Sequence, residues 1–363
     1  MKKVVVAGAT GLVGFAALKQ FAARAECEVI GLSRRQPHET HGATCLPLDL
    51  TDAAACRQVV GGLTGVTHLV YAALFEMPGL VAGWQAQQQI ATNDQMLRNL
   101  LEPLLAASPD LRHVTLLQGT KAYGVHVRPM KVPAREGRSE LRSQANFYWA
   151  QEDYLRARLA DSDCGWTVLR PVLIVGEAIG GAMNLIPALG VHAALARETG
   201  RVLPYPGGAD RVGQAVDADL LAEAIAWAGE AAAARNEVFN VTNGDVFVWR
   251  NVWPAIAEAV GMEAGEPAPF SLRTWLEPAG QAAWDGVRTR FGLVSPGLSA
   301  FVGQSMEYAD YQMRHGHDEH GAPSIVSTIK LQQAGFHAVM DTEAMFRKWF
   351  EVFQRKRLLP SPG

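Results

Sequence analysis

The stretch Val4–Gly14, VVVAGATGLVG, decides the fold. Four apolar residues lead into glycines at positions 8, 11 and 14, and FAALKQFAARA then continues with helical apolar spacing. A short apolar run is typical of a central parallel strand that is buried on both faces. Glycines between such a strand and a helix allow a tight turn and leave backbone N–H groups free to bind an anion. The pattern predicts a dinucleotide site at Gly8, Gly11 and Gly14, and an ordinary turn is the alternative.

Strand and helix patterns alternate through the first half of the chain. Further strands are predicted over CEVIGLSRR, ATCLPLDLTD, VTHLVYAAL, RHVTLLQGT and GWTVLRPVLIVG, and helices over AAACRQVVGGL, residues 85–107 and residues 148–159. Alternation of this kind requires right-handed crossovers between parallel strands. The sequence therefore predicts an α/β protein with a Rossmann-type doubly wound parallel sheet.

The residues after the second and third strands discriminate between the two nicotinamide dinucleotides. An NAD site usually has a carboxylate after the second strand for the ribose 2′-hydroxyl, whereas an NADP site has cations for the 2′-phosphate. This chain has Ser33, Arg34 and Arg35 there, and the planar arginine fork suits a phosphate. Asp49 and Leu50, after the third strand, fit contacts with the adenine. We expect NADPH/NADP+ as the cofactor, and a solvated basic loop is the alternative for the arginines.

The pattern of the chain changes after Gly176, where glycine- and proline-rich loops give way to mostly helical segments with scattered tryptophans. We expect an NADP-binding Rossmann domain over residues 1–175, with residues 212–248 returning to it. A smaller, mostly helical substrate-binding lobe is expected over residues 176–211 and 249–363.

The composition excludes several classes of protein. The 363 residues are 48% hydrophobic and 19% charged, which argues against a disordered chain. A net charge of -3 gives no electrostatic case for binding nucleic acid or an anionic membrane. The four cysteines form no CxxC motif, and no apolar run is long enough for a signal peptide or a membrane span. We expect a cytoplasmic protein with reduced thiols.

The stretch NFYWAQED, residues 146–153, raises the question of the catalytic residues. In extended short-chain dehydrogenases the catalytic Tyr is followed four residues later by a Lys that lowers its pKa. Glu152 stands at that position after Tyr148. Lys121, on the loop leaving the strand VTLLQGT, is the candidate cation that acts from across the site. A buried structural aromatic is the alternative for Tyr148, and a solvated lysine for Lys121; Tyr123 is expected to be structural.

These features together resemble the family of plant progesterone 5β-reductases and iridoid synthases with their bacterial relatives, which are atypical extended short-chain dehydrogenases/reductases. The resemblance covers nearly the whole chain. The matching stretches are GATGLVG, SRR, LDLTD, THLVYAAL, LQGTKAYG, NFYWAQEDYL, WTVLRPVLIVG, FNVTNGDVFVWRNVWPAIAEAVGM and STIKLQQAGFHAVMDTEAMFRKWF.

The resemblance implies an ene-reductase that uses NADPH to reduce a C=C bond conjugated to a carbonyl. Tyr148 is then expected to bind the substrate carbonyl oxygen and Lys121 to support it, because 1,4-hydride addition places negative charge on that oxygen. The residues implied along the cofactor are Gly8, Thr10, Gly11, Leu12, Val13, Gly14, Ser33, Arg34, Arg35, Asp49, Leu50, Ala73, Gln118, Tyr148 and Ile174. Met183 is expected to line the same site, because its thioether adapts to varied ligands.

One departure from the family bears on the substrate. Leu74 stands where the family has a Trp near the substrate, which opens the pocket and weakens the case for a steroid. We expect a small or medium, apolar enone or enal as the substrate. The fold class often dimerises through helices, and the sequence leaves a homodimer open.

Other readings of the sequence are possible. A carbonyl reductase or a nucleotide-sugar epimerase would share the extended fold, but an epimerase predicts a Lys at position 152. A non-catalytic NADP(H)-sensing protein would bind the cofactor without turnover. His315, His317 and His320 could in principle bind zinc, but no second ligand cluster accompanies them and we expect a solvated loop without metal.

Overall fold

A computed structural model describes residues 1–77, 83–198, 200 and 202–362. The chain divides into two compact units. The first unit comprises Met1–Val172, Asp219–Val241 and Val326–Ala338, and the second comprises Leu173–Ala218, Thr242–Ile325 and Val339–Gly363.

The strands of the described residues are listed here in chain order. They are β1 (Lys2–Ala7), β2 (Cys27–Ser33), β3 (Thr44–Pro47), β4 (His68–Tyr71), β5 (His113–Leu117), β6 (Gly165–Pro171), β7 (Leu173–Val175), β8 (Val202–Pro204), β9 (Ala215–Asp217), β10 (Glu237–Val241) and β11 (Glu263–Gly265).

The helices of the same residues are α1 (Leu12–Ala22), α2 (Ala53–Val60), α3 (Gln87–Ala107), α4 (Phe147–Arg158), α5 (Leu185–Arg197), α6 (Ala218–Ala228), α7 (Trp249–Ala259), α8 (Pro278–Phe291), α9 (Leu298–Val302), α10 (Ser305–Gln312), α11 (Ile329–Gln333) and α12 (Thr342–Arg355). Two short 3-10 turns matter for the site, Gly83–Gln85 and Thr120–Tyr123.

The first unit is built on a seven-stranded sheet with the order β10-β6-β5-β4-β1-β2-β3, in which every pair of neighbours is parallel. Val4 of β1 pairs with Val29 of β2 on one side and with His68 of β4 on the other. The strand order therefore reverses between β1 and β4. In open α/β sheets, ligands bind outside the carboxyl ends of the strands at such a reversal.

The core of the first unit explains why the strand sequences are so apolar. Val5, Leu69 and Val114 of three neighbouring strands are buried, and Leu97 and Leu100 of α3 pack in the same cluster. Helices cover a parallel sheet on its faces, so its central strands have few solvent-facing positions. The predicted α/β Rossmann-type fold is confirmed.

Helix starts in the first unit follow their capping residues. The Asp52 side chain accepts hydrogen bonds from the backbone N–H groups of Ala54 and Ala55, and the Asn146 side chain accepts one from the N–H of Tyr148. Side-chain acceptors at these positions satisfy N–H groups that have no partner within the helix. Asn146 thereby fixes the first turn of α4, which contains Tyr148.

The stretch GWTVLRPVLIVG, predicted as one strand, forms two. β6 belongs to the large sheet of the first unit, whereas β7 pairs with β9 in the second unit. Pro171 ends β6, and a proline has no N–H to donate to a continuing ladder. The chain therefore passes from one unit to the other next to this proline.

The second unit contains two small parallel strand pairs, β7 with β9 and β8 with β11, together with most of the remaining helices. Large aromatic side chains fill its interior, among them Trp253, Trp284, Trp349, Phe301 and Phe346. In the described part of the chain, no helix combines the length and the apolar character needed to span a membrane.

Candidate active site

The turn between β1 and α1 is closed by glycines that cannot be replaced without moving the backbone. Gly8 has a φ of +82°, and a Cβ on it would lie 2.8 Å from the backbone of Ala72 and Ala73. A Cβ on Gly14 would lie 2.1 Å from the carbonyl oxygen of Gly8. Both contacts are far too short for a side chain, so the tight strand–turn–helix geometry depends on these two glycines.

The N-terminus of α1 is left open by this turn. Gly11 is the N-cap residue, and it has no side chain to accept hydrogen bonds from the first N–H groups of the helix. Gly11 is exposed, and Thr10, Leu12 and Val13 are partly exposed. Unsatisfied N–H groups and the positive end of the helix dipole together favour an anion. This turn could hold a dinucleotide pyrophosphate.

The side chains of the arginines after β2 form no ion pair or hydrogen bond with the described residues. Arg34 and Arg35 are exposed, and neither forms an ion pair or a side-chain hydrogen bond with any residue that the structure describes. Ser33 is buried, and its hydroxyl donates a 2.6 Å hydrogen bond to the carbonyl oxygen of Arg35, which fixes the turn. Two arginines without an internal partner could bind an external phosphate through their paired N–H donors.

Asp49 and Leu50 follow β3 and face different environments. Asp49 is exposed, and its carboxylate accepts hydrogen bonds from the backbone N–H (2.9 Å) and the hydroxyl (2.8 Å) of Thr51. The bond from the Thr51 N–H lowers the pKa of Asp49 against the opposing effect of burial, and Arg34 lowers it further. Leu50 is buried in the core of the first unit.

Two further predicted cofactor residues lie beside the same carboxyl edge of the sheet. Ala73 is partly buried after β4, and its backbone nitrogen packs against Gly8. Gln118 follows β5, and its side chain is buried and fully engaged: Nε2 donates to the Tyr148 carbonyl at 3.1 Å, and Oε1 accepts from Arg170 at 2.8 Å. The Gln118 side chain therefore serves an internal network.

Tyr148 brings its hydroxyl to the carboxyl end of β5. A Cβ on Gly119 would lie 3.3 Å from the Tyr148 hydroxyl and 3.4 Å from the carbonyl oxygen of Pro171. The backbone of Gly119 is extended, so its lack of a side chain matters for space and not for conformation. The phenol thus lies against the end of the strand, at the edge where doubly wound sheets bind ligands.

Lys121 lies in the 3-10 turn that follows Gly119, and its ammonium packs on an aromatic ring. Its Nζ is 3.4 Å from the ring centroid of Trp84. Burial lowers the pKa of Lys121 to about 8, and the Glu76 carboxylate acts in the opposite direction. The ammonium is therefore charged at neutral pH and titrates close to it.

Trp84 connects the two predicted catalytic residues. The Trp84 and Tyr148 rings meet edge to face, with their centroids 5.5 Å apart. Trp84, Ala122, Phe147, Tyr148 and Trp149 form one buried cluster. The structure thus brings Lys121 and Tyr148 to the same group of aromatic side chains, although they lie on separate segments.

Sequence reasoning missed Trp84 and its partner Glu76. The indole N–H of Trp84 donates a 3.1 Å hydrogen bond to Glu76 Oε1. Both residues follow β4, and the carboxyl ends of neighbouring parallel strands lie at one edge of a sheet. That position was the only available signal, since a lone Trp in a loop has no pattern of its own.

Leu74 lies in the same region and packs against the Trp84 cluster while remaining partly exposed. Trp149, in contrast, directs its indole N–H to the carbonyl of Gln144 at 3.1 Å. Two aromatic rings therefore lie beside Tyr148: Phe147, with ring centroids 4.8 Å apart, and Trp84, which lies ten residues after Leu74 in the chain.

Glu152, at the position of the usual lysine, is a fully buried carboxylate with compensating charges. Its Oε2 accepts from Arg170 and Gln118, each at 3.1 Å. Its Oε1 accepts from Arg142 at 2.9 Å and from Arg156 at 3.1 Å. A buried carboxylate requires this degree of pairing. Glu152 therefore anchors the middle of α4 to β6, and a lysine at this position would meet three arginines.

The network continues through Arg170, which is 1% exposed. Arg170 pairs with Glu140 at 2.7 Å and contacts the Tyr123 hydroxyl at 3.4 Å. The Tyr123 hydroxyl in turn donates a 2.6 Å hydrogen bond to Asn240 of β10. Tyr123 is buried and hydrogen-bonded internally, as expected for a structural residue.

The remaining predicted residues belong to the second unit. Ile174 is partly buried in β7, and Met183 is partly buried in the loop before α5. His317 and His320 are exposed, and Nδ1 of His320 lies 3.3 Å from the carbonyl oxygen of Asp210. In the part of the chain that the structure describes, His315, His317 and His320 do not join into a group of three metal ligands.

Comparison with known proteins identifies the class and the family. Residues 53–360 match the family described as the PRISE-like Rossmann-fold domain, and the chain belongs to this family. It is 34% identical over 349 residues to (S)-8-oxocitronellyl enol synthase ISY1 from Nepeta racemosa, covering 92% of this chain and 86% of that protein. It is 33% identical over 249 residues to 3-oxo-Delta(4,5)-steroid 5-beta-reductase from Arabidopsis thaliana, covering 65% and 62% of the two chains. The resemblance to the progesterone 5β-reductase and iridoid synthase family is confirmed.

Solved structures share the fold at much lower identity. UDP-glucose 4-epimerase from Brucella ovis, in complex with NAD, superposes with a TM-score of 0.65 and 17% identity over 97% of this chain and 98% of that chain. UDP-N-acetylglucosamine 4-epimerase from Methanobrevibacter ruminantium gives a TM-score of 0.64 at 15% identity, covering 98% and 99% of the two chains. These similarities establish the extended Rossmann architecture.

Proposed function

We propose that the protein is an NADPH-dependent reductase of C=C bonds that are conjugated to a carbonyl. The supporting observation is that Tyr148 and the Lys121 ammonium meet in one aromatic cluster at the carboxyl edge of the sheet. The usual lysine position is occupied by Glu152, whose carboxylate is paired with arginines. The name of one relative points the same way, since a 3-oxo-Delta(4,5)-steroid contains a carbonyl conjugated to a C=C bond.

The cofactor-binding residues fit a dinucleotide with a 2′-phosphate. The open N-terminus of α1 would hold the pyrophosphate, and Arg34 and Arg35 would bind the 2′-phosphate. The last residue of β2 is Ser33, and Arg34 and Arg35 follow it, so none of these three positions offers the carboxylate that would select NAD. When bound, NADPH supplies the hydride that adds to the β-carbon of the substrate.

Tyr148 and Lys121 act on the other end of the conjugated system. The Tyr148 hydroxyl donates a hydrogen bond to the substrate carbonyl oxygen, where negative charge accumulates as the β-carbon receives the hydride. The Lys121 ammonium stabilises this charge in surroundings from which water is largely excluded, where its field is stronger than in bulk solvent. Solvent supplies the proton that completes the reduced product at the α-carbon.

Reduction of the carbonyl itself is disfavoured by the same arrangement. In the usual enzymes of this fold the Tyr delivers a proton to the carbonyl oxygen with help from a Lys four residues later. Here Glu152 occupies that position, and its carboxylate is paired with Arg170, Arg142 and Arg156. It therefore does not supply the cation that assists proton transfer in the usual enzymes. The Tyr148 hydroxyl is therefore suited to stabilising an oxyanion.

The test is NADPH oxidation by the purified protein with a panel of enones, enals and saturated ketones. We expect turnover with enones or enals, and a fall in kcat of about 100-fold in Tyr148→Phe, because one oxyanion donor is lost. Tyr311→Phe, on the exposed Tyr311 of α10, is the matched control and should leave kcat unchanged.

Two outcomes would defeat the proposal. Turnover of saturated ketones without turnover of any enone or enal would indicate a carbonyl reductase. Tight NADPH binding without oxidation across the whole panel would indicate a protein that binds the cofactor without catalysis.

A further inference from the structure

Three contacts converge on the Trp84 side chain, which is 2% exposed. The ring face lies against Lys121 Nζ, 3.4 Å from the centroid. The indole N–H donates a hydrogen bond to Glu76 Oε1 at 3.1 Å. The ring also meets Tyr148 in an edge-to-face arrangement with an interplanar angle of 76°. One residue thus contacts the phenol, the ammonium and a carboxylate.

Each contact has a distinct physical effect. An aromatic face attracts an ammonium through its quadrupole, and the attraction grows when both groups are shielded from water. A carboxylate that accepts the indole N–H polarises the ring, and chains of such contacts strengthen one another. The Glu76 carboxylate also favours the charged form of Lys121 through its field.

We propose that Trp84 and Glu76 are positioning residues for the reduction: Trp84 holds the Lys121 ammonium on its ring face beside Tyr148, and Glu76 keeps that ammonium protonated. This inference rests on the proposed function. Neither residue touches the substrate in this role; both act through Lys121.

The groups around Lys121 make Glu76 the decisive charge. Burial lowers the pKa of the neighbouring His126, and the Lys121 charge lowers it further, so His126 is neutral where Lys121 titrates. Tyr148 presents a hydroxyl and Trp84 an uncharged ring. Glu76 is the carboxylate whose field raises the pKa of Lys121 against the effect of burial.

The direction of the pH effect follows from these charges. The reaction needs the ammonium form, and the pKa of Lys121 is about 8, so the rate falls as the pH rises through that value. Glu76→Gln removes the negative charge but keeps an oxygen that can accept the Trp84 N–H. In this variant the pKa of Lys121 falls, and the alkaline limb of the rate profile moves to lower pH.

The first measurement is the pH profile of kcat for the full chain with NADPH and an accepted enone. We expect Glu76→Gln to move the alkaline limb toward lower pH by about 1 unit, the lower end of the effect of one nearby opposite charge. Glu28→Gln is the matched control, because the exposed Glu28 of β2 pairs with Lys3 of β1. An alkaline limb that stays in place in Glu76→Gln would overturn the inference.

The second measurement does not depend on catalysis. Competitive acetylation with acetic anhydride at graded pH, read by mass spectrometry of the Lys121 peptide, gives the titration midpoint of this lysine. We expect a midpoint near 8 in the wild-type protein and a lower one in Glu76→Gln. An unchanged midpoint overturns the inference. If the Lys121 midpoint shifts in Glu76→Gln but no protein, wild type or variant, turns over an enone, the effect of Glu76 on Lys121 is supported and the proposed function is defeated.

Variants of Trp84 test the positioning role. Trp84→Leu removes the ring face, and we expect kcat to fall about tenfold with little change in KM, in line with a shielded cation–π contact. Trp84→Phe keeps a ring but loses the N–H, and we expect its kcat to fall about threefold. This variant keeps the test informative if Trp84→Leu does not fold. Trp227→Phe, in a separate aromatic group with Phe239 and Phe336, is the control. A wild-type kcat in folded Trp84→Phe and Trp84→Leu would overturn the role.

Discussion

Arg170 and Lys121 are two cations of the first unit in opposite electrostatic surroundings. Arg170 is fully buried between the carboxylates of Glu152 and Glu140, 3.1 and 2.7 Å away. Lys121 has no ion pair among the described residues and lies instead on the Trp84 ring. Burial lowers the pKa of Lys121, whereas the neighbours of Arg170 raise its pKa in spite of burial.

The difference separates a structural charge from a candidate functional one. A buried ion pair with all its partners present holds two elements together, and loss of one partner leaves an uncompensated charge. A desolvated lysine without an ion pair costs stability while it is charged, even where a nearby carboxylate such as Glu76 offsets part of that cost. A residue that is kept at such a cost is a candidate for function. Variants that exchange or remove these charges test the comparison.

The largest expected effect is on stability, in Glu152→Lys. The change restores the usual spacing between Tyr and Lys, but it places a fourth cation beside Arg170, Arg142 and Arg156. We expect the free energy of unfolding to fall by about 5 kcal/mol, measured by urea denaturation. In the control Arg142→Met, whose side chain is 47% exposed, the loss should stay below about 1 kcal/mol. A stable Glu152→Lys protein would contradict the structural role of the network.

The next effect is on activity, in Lys121→Met. We expect kcat for enone reduction to fall about 100-fold, because the cation beside the oxyanion is lost. The free energy of unfolding should stay the same or rise by about 1 kcal/mol, because a poorly solvated charge is removed. A clear loss of stability with unchanged kcat would mean that Lys121 is structural.

The exposed Arg34 and Arg35 extend the comparison to cations that form no ion pair or side-chain hydrogen bond in the described chain. We expect the double variant with Arg34→Ser and Arg35→Ser to weaken NADPH binding about 30-fold and to leave NADH binding unchanged, because only NADPH has the 2′-phosphate. Calorimetric titration of both cofactors measures this. Arg57→Ser, on the exposed face of α2, is the control. Equal weakening for both cofactors would indicate a general loss of the site.

The smallest expected effect is on the pH dependence of stability. The folded-state pKa of Lys121 is about 8, below the ordinary value of 10.5, so the unfolded chain binds more protons between these values. The cost of the buried ammonium is present below pH 8 and disappears as the pH rises through 10.5. Any stability advantage of Lys121→Met, about 1 kcal/mol at pH 7, should therefore shrink toward pH 10. Parallel urea titrations of both proteins at pH 7, 8.5 and 10 measure this difference.

Local pattern was sufficient to predict the sheet and its turns. β1 and the glycines after it are adjacent in sequence, and each of them constrains the backbone directly. The division of GWTVLRPVLIVG into β6 and β7 was missed, because a single proline ends one ladder without changing the apolar pattern. The boundary between adjacent strands depends on which unit each one joins.

The site was only partly predictable for a related reason. The sequence showed that Glu152 departs from the usual motif, but its partners Arg142, Arg156 and Arg170 come from two elements and a loop. Trp84 reaches Lys121 across 37 positions of sequence, and no periodic spacing relates the two. Such contacts depend on how loops at neighbouring strand ends pack, which residue spacing does not encode.

Gly119 also limits how this protein can evolve. A side chain there would lie 3.3 Å from the Tyr148 hydroxyl and 3.4 Å from the carbonyl oxygen of Pro171, so even a serine requires the hydroxyl to move by a few tenths of an ångström. The order of mutations then matters: a change that gives the phenol more room makes a later substitution at this glycine easier to accommodate.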